Sequence, residues 1–219
     1  MTGSSFGTIA TKADIDAELA ALASLDSRLA PVIEASGELP LRRQAEGLRG
    51  LCAIVTAQQV SKASAEAIFS RFQKEADLDD HRAILALDDA AYRRAGLSRP
   101  KQATISELAR AVEDGDLDFS RLAAADGTVA IAELVKLKGI GVWTAECYLL
   151  FSTGHRDIFP AGDLALQVAV AMAFGLKERP KPKQLAEIAK AWAPHRSTAA
   201  RLFWAYYAAC TKRDAAPAD

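Results

Sequence analysis

The residues best suited to chemistry are the run Leu137-Lys-Gly-Ile-Gly-Val-Trp-Thr-Ala-Glu146 and, twenty-two positions after Gly141, the acid of Phe159-Pro-Ala-Gly-Asp163. Gly139 and Gly141 flank Ile140 between helix-compatible segments, so the chain can turn tightly with its backbone close to a ligand. Peptide N–H groups at the start of the following helix lack intrahelical partners and favour an anion. A backbone phosphate would be held there without its base being read. Asp163 adds a lone carboxylate, which in a water-poor site can stabilise developing positive charge or orient and deprotonate a water. Aspartate is also a favoured N-cap, so Asp163 can begin the helix Leu164–Phe174 as well.

The elements that position these residues read as helices almost throughout. Ala, Leu, Glu, Lys and Arg are abundant, and strand-like alternation of Val, Ile and Thr is scarce. Capping side chains and first-turn prolines place helix starts near Thr11 or Asp14, Ser27, Leu41, Ser61, Asp80, Asp88, Pro100, Asp116, Asp126, Val142, Asp163, Pro182 and Ser197. Short loops and no repeats predict an all-α fold, with a short polar tail after Lys212.

Composition narrows the class. The 219 residues are 50% hydrophobic and 25% charged, an ordinary balance for a globule with ample core. No apolar run is long enough to span a bilayer, and Met1–Phe6 lacks a secretory pattern, so a cytoplasmic location is expected. Net charge is −1, which argues against a generic nucleic-acid coat; distribution matters more than the sum. Arg42, Arg43 and Arg49 cluster early, and Lys177, Arg179, Lys181 and Lys183 late, with Arg196 and Arg201 beyond. Each taken alone reads as part of a solvated face. Cys52, Cys147 and Cys210 are too few and too scattered for a disulfide framework or a Cys-x-x-Cys site, and read as small buried hydrophobes. His81, His155 and His195 show no metal-ligand spacing, so no metal held by side chains and no cofactor is expected.

Taken together, the Gly139-Ile140-Gly141 turn, Trp143-Thr144-Ala145 and Pro160-Ala-Gly-Asp163 resemble the helix-hairpin-helix plus Gly/Pro…Asp (HhH-GPD) signature of the DNA glycosylase superfamily. Within it the chain is most similar to AlkA-type alkylpurine (3-methyladenine) glycosylases, over roughly residues 40 to 205. The resemblance implies two helical lobes with the DNA cleft between them. Residues 43–145 would form a central lobe ending in the hairpin, and 1–42 with 146–219 a second lobe carrying Asp163. The chain has no room for AlkA's N-terminal β-rich domain, nor the four cysteines of an iron–sulfur cluster. The family hairpin often holds a monovalent cation on main-chain carbonyls.

The same resemblance assigns roles. Asp163 is the catalytic carboxylate. Gly139, Ile140, Gly141 and Thr144 hold the DNA backbone. Gln58, Gln59 and Ser61 match a Gln-Gln-Val-Ser segment facing DNA; the plain alternative is a capped helix junction at Ser61. Gly96-Leu-Ser98-Arg99-Pro100-Lys101 resembles a Gly-Leu-Ser-x-x-Lys loop that delivers the wedge filling the gap of an extruded base. Arg99 and Pro100 occupy its tip, and which one plugs the stack is open. Trp143 stands where bifunctional relatives carry a Schiff-base lysine, and neither Lys136 nor Lys138 matches that position. Trp143 and Trp204 are candidate pocket walls for an electron-poor base, against the alternative of ordinary core packing. Cys147 takes a place where the AlkA pattern has tyrosine, with Tyr148 next along. Arg196 reads as structural or phosphate-facing.

The expected function is a monofunctional DNA glycosylase of base excision repair. It would remove alkylated purines (3-methyladenine, 7-methylguanine) from double-stranded DNA by base flipping and leave an abasic site. Two alternatives stand beside it: a glycosylase for deaminated bases such as hypoxanthine or uracil, and a non-catalytic helix-hairpin-helix module that binds DNA. A monomer without obligate protein partner or membrane contact is the simpler expectation, nucleoid-associated if bacterial.

Overall fold

Short polar side chains start most of the helices by accepting N–H groups that the first turn leaves unpaired. Thr11 caps α1 (Lys12–Leu25) in a reciprocal box with Asp14, and Ser61 caps α4 (Lys62–Glu75). Asp80 and Asp88 cap α5 (His81–Leu85) and α6 (Asp89–Ala95). Asp118 and Asp126 cap α8 (Phe119–Ala124) and α9 (Gly127–Leu134), and Asp163 caps α11 (Leu164–Ala173). The other helices are α2 (Ala30–Ser36), α3 (Gly47–Ala57), α7 (Arg99–Glu113), α10 (Val142–Cys147), α12 (Pro182–Ala189) and α13 (Arg196–Thr211). This computed structural model describes residues 7–212. The segment Met1–Phe6 and the polar tail after Lys212 lie outside them. Among the described residues there is no strand, only one isolated bridge between Thr8 and His155, and the fold is all-α.

Three details depart from the sequence-based expectations. No helix starts at Leu41; α3 begins at Gly47. The Leu41 carbonyl accepts from Arg201 Nη1 at 2.5 Å, and Arg42 adopts φ 45°, which no right-handed helix contains. The start expected at Asp116 moves to Phe119, because Leu117 N–H turns back to the Ala111 carbonyl and closes α7 first. Residues Tyr148–Thr153 widen into a π-helical turn. It ends at Gly154 (φ 72°), whose hydrogen position lies against the Ile9 carbonyl, where a Cβ would have no room.

The described residues group into two compact units. One is built from the chain up to Arg43 and from Leu149 onward; the other is Gln44–Tyr148. In the first, α2 and α11 pack on α13. Trp192 lies 5.0 Å from Phe203 and 5.3 Å from Phe159, ring centre to ring centre, and Leu22, Leu29 and Leu202 are buried in the same unit. In the second, α5 and α3 pack on α7 and α4 lies against α3 and α6, burying Leu51, Phe72, Ile84, Ile105 and Leu108. Each such side chain contributes about 1.5–3 kcal/mol when fully removed from water. Cys52 and Cys147 belong to this core, and burial pushes the Cys52 thiol up to about 12. Cys210 is exposed, contrary to expectation: it sits in the last turn of α13, where the helix has left the core.

Candidate active site

Asp163 occupies the N-cap of α11, its Oδ1 accepting the Leu166 N–H at 3.1 Å and the Trp204 indole N–H at 3.3 Å. The approach to it is pinned from both sides. Asp163 N–H donates to the Pro160 carbonyl at 2.8 Å, and Gln167, one turn into α11, donates from Nε2 to the Ala161 carbonyl at 3.0 Å. Upstream, Arg196 grips Asp157 with two bonds of 2.6 and 2.9 Å. The buried Ser197 hydroxyl donates to the His155 carbonyl and accepts from the Ile158 amide. Segment 155–163 is thereby fixed to the start of α13, the helix that carries Trp204. The resulting carboxylate is half-buried and oriented, suited to facing positive charge.

The hairpin lies in the second unit. Gly139 has φ 87°, and any Cβ there would collide with the Thr104 side chain, so the turn requires glycine. Gly141, at the N-cap of α10, faces open space. A group on an incoming backbone can therefore approach Gly141 and the first amides of α10. Ile140 and Thr144 are buried, and Thr144 Oγ1 accepts from Gln58 Nε2 at 3.0 Å. Gln58 thus braces the helix after the hairpin. Gln59 is exposed with φ 56°, beside Ser61, whose hydroxyl caps α4. Trp143 is half-buried.

Several candidates have partners that sequence alone did not reveal. Lys101 donates from Nζ to the Thr56 carbonyl at 2.8 Å, closing the last turn of α3, and burial lowers its pKa. The fold thus supplies this ammonium with an internal acceptor. Arg99 pairs with Asp89 at 2.7 Å, both exposed, while Ser98 and Pro100 sit at the exposed start of α7. Cys147 is fully buried, and Trp204 is 2% exposed and stacks on Phe151 at 5.5 Å. Cys147 therefore presents no open surface, and the one polar atom of Trp204 is turned to Asp163. His195 binds Glu18 at 2.5 Å, and Glu18 also pairs with Arg156, tying α1 to the start of α13. Gln167 and Asp157 were not singled out from the sequence, and Ser197 only as a helix start. The one available signal was the opposite charge of Asp157 and Arg196, thirty-nine positions apart.

A family model for HhH-GPD superfamily base excision DNA repair proteins matches residues 52–195. The chain belongs to this superfamily. Its hairpin and its Asp163 both lie inside the matched range. It is similar to a DNA-3-methyladenine glycosidase from Bacillus halodurans, with 33% identity, 92% of this chain and 93% of that one covered, and a TM-score of 0.78. A Schizosaccharomyces pombe 3-methyladenine DNA glycosylase in complex with abasic DNA matches at 26% identity over 88% of this chain and 95% of that one, with a TM-score of 0.75. The alkylbase DNA glycosidase-like protein mag2 of the same yeast is 26% identical over 84% of this chain and 89% of its own length.

Proposed function

We propose that this protein is a monofunctional DNA glycosylase of base excision repair that hydrolyses the N-glycosidic bond of alkylated purines in double-stranded DNA. The observation that carries the reading is the oriented carboxylate of Asp163, held by the Leu166 amide and the Trp204 indole. Relatives named as 3-methyladenine glycosylases over nearly their whole length support it. Breaking the C1′–N bond places positive charge on the sugar. At about 4 Å and an effective dielectric near 20, a carboxylate stabilises that charge by ~4 kcal/mol. If realised in the transition state alone, this is close to three decades in rate. The same oxygens can orient the attacking water.

N3- or N7-alkylation leaves a purine positively charged, so it departs without protonation, and one carboxylate suffices. The substrates proposed are 3-methyladenine and 7-methylguanine, reached by flipping the base from the duplex. The second unit supplies the grip: Gly139, Gly141 and the α10 amides on a phosphate, with Gln59, Ser61 and the 98–100 tip beside the extruded nucleotide. The first unit supplies Asp163. Trp143 brings an indole where strand-nicking relatives place lysine; it forms no Schiff base, so the product is an intact abasic strand. Trp143 also offers a π face to a cationic base, worth about 1–2 kcal/mol when desolvated. The protein is proposed to work as a cytoplasmic monomer.

The test is single-turnover base release from methylated duplex DNA, wild type against Asp163→Asn, with the freed bases identified chromatographically and nicking scored before and after alkali. Asparagine still caps α11, so the variant keeps its fold. The expected result is release of 3-methyladenine or 7-methylguanine by the wild type, a loss of about a thousandfold in the variant, and nicking only after alkali. Release of neither base by a folded, DNA-binding wild type would sink the alkylpurine reading.

A further inference from the structure

The loop after α11 carries four cations and one acid, Lys177-Glu-Arg179-Pro-Lys181-Pro-Lys183, in a chain of net charge −1. Lys177, Arg179, Lys181 and Lys183 are all exposed. Elsewhere the fold pairs its surface cations with acids, as Arg49 with Asp79, Arg94 with Glu75 and Arg99 with Asp89. Among the described residues no ion pair holds any of the four. Prolines give the loop a set shape: Pro180 is buried, and Pro182 opens α12. Arg179 and Lys181 each precede a proline, which disfavours helical backbone, and Lys181 has φ −67° and ψ 158°, the polyproline conformation. Two residues of such backbone rise about 6 Å, close to the ~6.6 Å between alternate side chains of an extended strand. Little backbone freedom is left to lose when a partner docks.

Apolar surface accompanies the charge. Gly175, at φ 59°, and the Leu176 N–H, which donates to the Ala171 carbonyl at 2.9 Å, close α11 and fix the backbone at Leu176. The Leu176 side chain is 40% exposed, and Met172, in the last turn of the helix, is 43% exposed. Methionine adapts readily to a partner's shape. A phosphodiester backbone has no use for these two groups, whereas a peptide with both acidic and apolar residues engages them together with the cations. The loop also lies at the far end of α11 from Asp163, about 15 Å along a ten-residue helix, so a nucleotide at Asp163 does not cover it. We propose that residues 177–183, with Met172 and Leu176, form a docking surface for an extended acidic segment of another protein that carries apolar side chains among its carboxylates. The cations steer and select the segment, and its apolar residues bury Met172 and Leu176. The inference is independent of the glycosylase reading.

The experiment titrates the full chain into a fluorescein-labelled peptide, Asp-Leu-Asp-Asp-Leu-Asp-Asp-Leu, followed by fluorescence anisotropy. Two control peptides replace every Asp by Asn or every Leu by Ser. The triple variant Arg179→Gln, Lys181→Gln, Lys183→Gln changes only exposed side chains, and its Tm verifies the fold. Wild type is expected to bind the acidic–apolar peptide saturably, and the triple variant to bind it about tenfold more weakly, the sum of three exposed ion pairs. Met172→Ser with Leu176→Ser should weaken the same peptide about fivefold and leave the Ser peptide unchanged. An undamaged duplex, titrated in parallel, should bind the triple variant as it binds wild type. No saturable binding by wild type, equal affinities of wild type and triple variant, or equal affinities for the Leu and Ser peptides would overturn the proposal. So would a duplex affinity that falls as far as the peptide affinity, which would make the loop a surface for DNA backbone. None of these readouts needs turnover, so a failure of base release and a failure of this surface are separate results.

Discussion

The indole N–H of Trp204 lies 3.3 Å from Oδ1 of Asp163, on the same oxygen that accepts the Leu166 amide. A side chain from the middle of α13 thereby sets the orientation of the carboxylate that begins α11. Trp204 cannot swing away, because it is 2% exposed and stacked on Phe151. Its aromatic bulk serves the core, while its one polar atom serves the site, as buried indoles commonly do.

Trp204→Phe separates those two contributions. Phenylalanine keeps the stacking partner of Phe151 and deletes the donor to Asp163. A hydrogen bond to a charged group contributes about 1.5–3 kcal/mol, and at 3.3 Å the low end applies. Base release is expected to slow about tenfold, with Tm lowered by a few degrees and duplex affinity unchanged. A rate equal to wild type would mean that the Leu166 amide alone orients Asp163.

The two hairpin glycines should respond oppositely to the same change. Gly139→Ala forces a Cβ into the Thr104 side chain at φ 87°, so it should cost 2 kcal/mol or more, on the order of other strained-backbone lesions. Gly141→Ala meets nothing in the protein and should melt close to wild type. Its methyl group would stand where a phosphate approaches the α10 amides, so duplex affinity should fall about tenfold. Thermal melts and anisotropy on the two variants check both statements; an unchanged affinity for Gly141→Ala would remove the hairpin from the DNA contact.

Much of this was legible in the sequence because it is local. The caps Ser61, Asp88, Asp126 and Asp163 act on amides two or three residues away, so residue type and position announce them. The left-handed turn at Gly139 is likewise local. What distance conceals is which polar atoms meet: Trp204 and Asp163 are 41 positions apart, and Lys101 and Thr56 are 45 apart. Periodicity tells which face of α13 is apolar, not that its indole edge finds a carboxylate. Arg201 reads as a surface cation because arginine is rarely buried; only the fold shows two backbone carbonyls waiting for it. The π turn at Tyr148–Thr153 had no sequence signal at all; the Gly154 carbonyl that follows it accepts from the Ile9 N–H, some 145 positions away.

Asp26 should set part of the acid stability. Two bonds from the Arg28 guanidinium, one from its backbone N–H and one from the Trp192 indole at 3.0 Å hold its carboxyl down to about 2, the Arg28 side-chain contribution being the largest. Because the folded pKa lies below the ordinary aspartate value of 3.8, the stabilisation is fully present above about pH 4. It is lost as pH falls towards 2. The shift corresponds to about 2 kcal/mol. Wild type should therefore lose more Tm than Asp26→Asn between pH 5 and pH 2, the difference curve flattening above pH 5. Parallel curves would show that the Arg28 and Trp192 contacts do not discriminate between the two forms of the acid.

Lys101→Met tests whether that ammonium serves the fold or the DNA. Its Nζ closes the C-terminal turn of α3 on the Thr56 carbonyl, two residues before the Gln58–Gln59 pair. Methionine fills similar space without the donor, so the carbonyl loses a charged partner at a cost of about 1–2 kcal/mol. Burial lowers the folded pKa of Lys101, so the folded protein binds this proton less tightly than the unfolded chain. The burial penalty is therefore present at neutral pH and relieved as pH rises from the lowered value through 10.5. The stability gap between wild type and variant should change only in that alkaline window. If the ammonium serves the fold alone, duplex affinity and its salt slope should match wild type. A slope shallower by about 0.9 would return Lys101 to the DNA interface and make the Thr56 bond a resting position of a mobile cation.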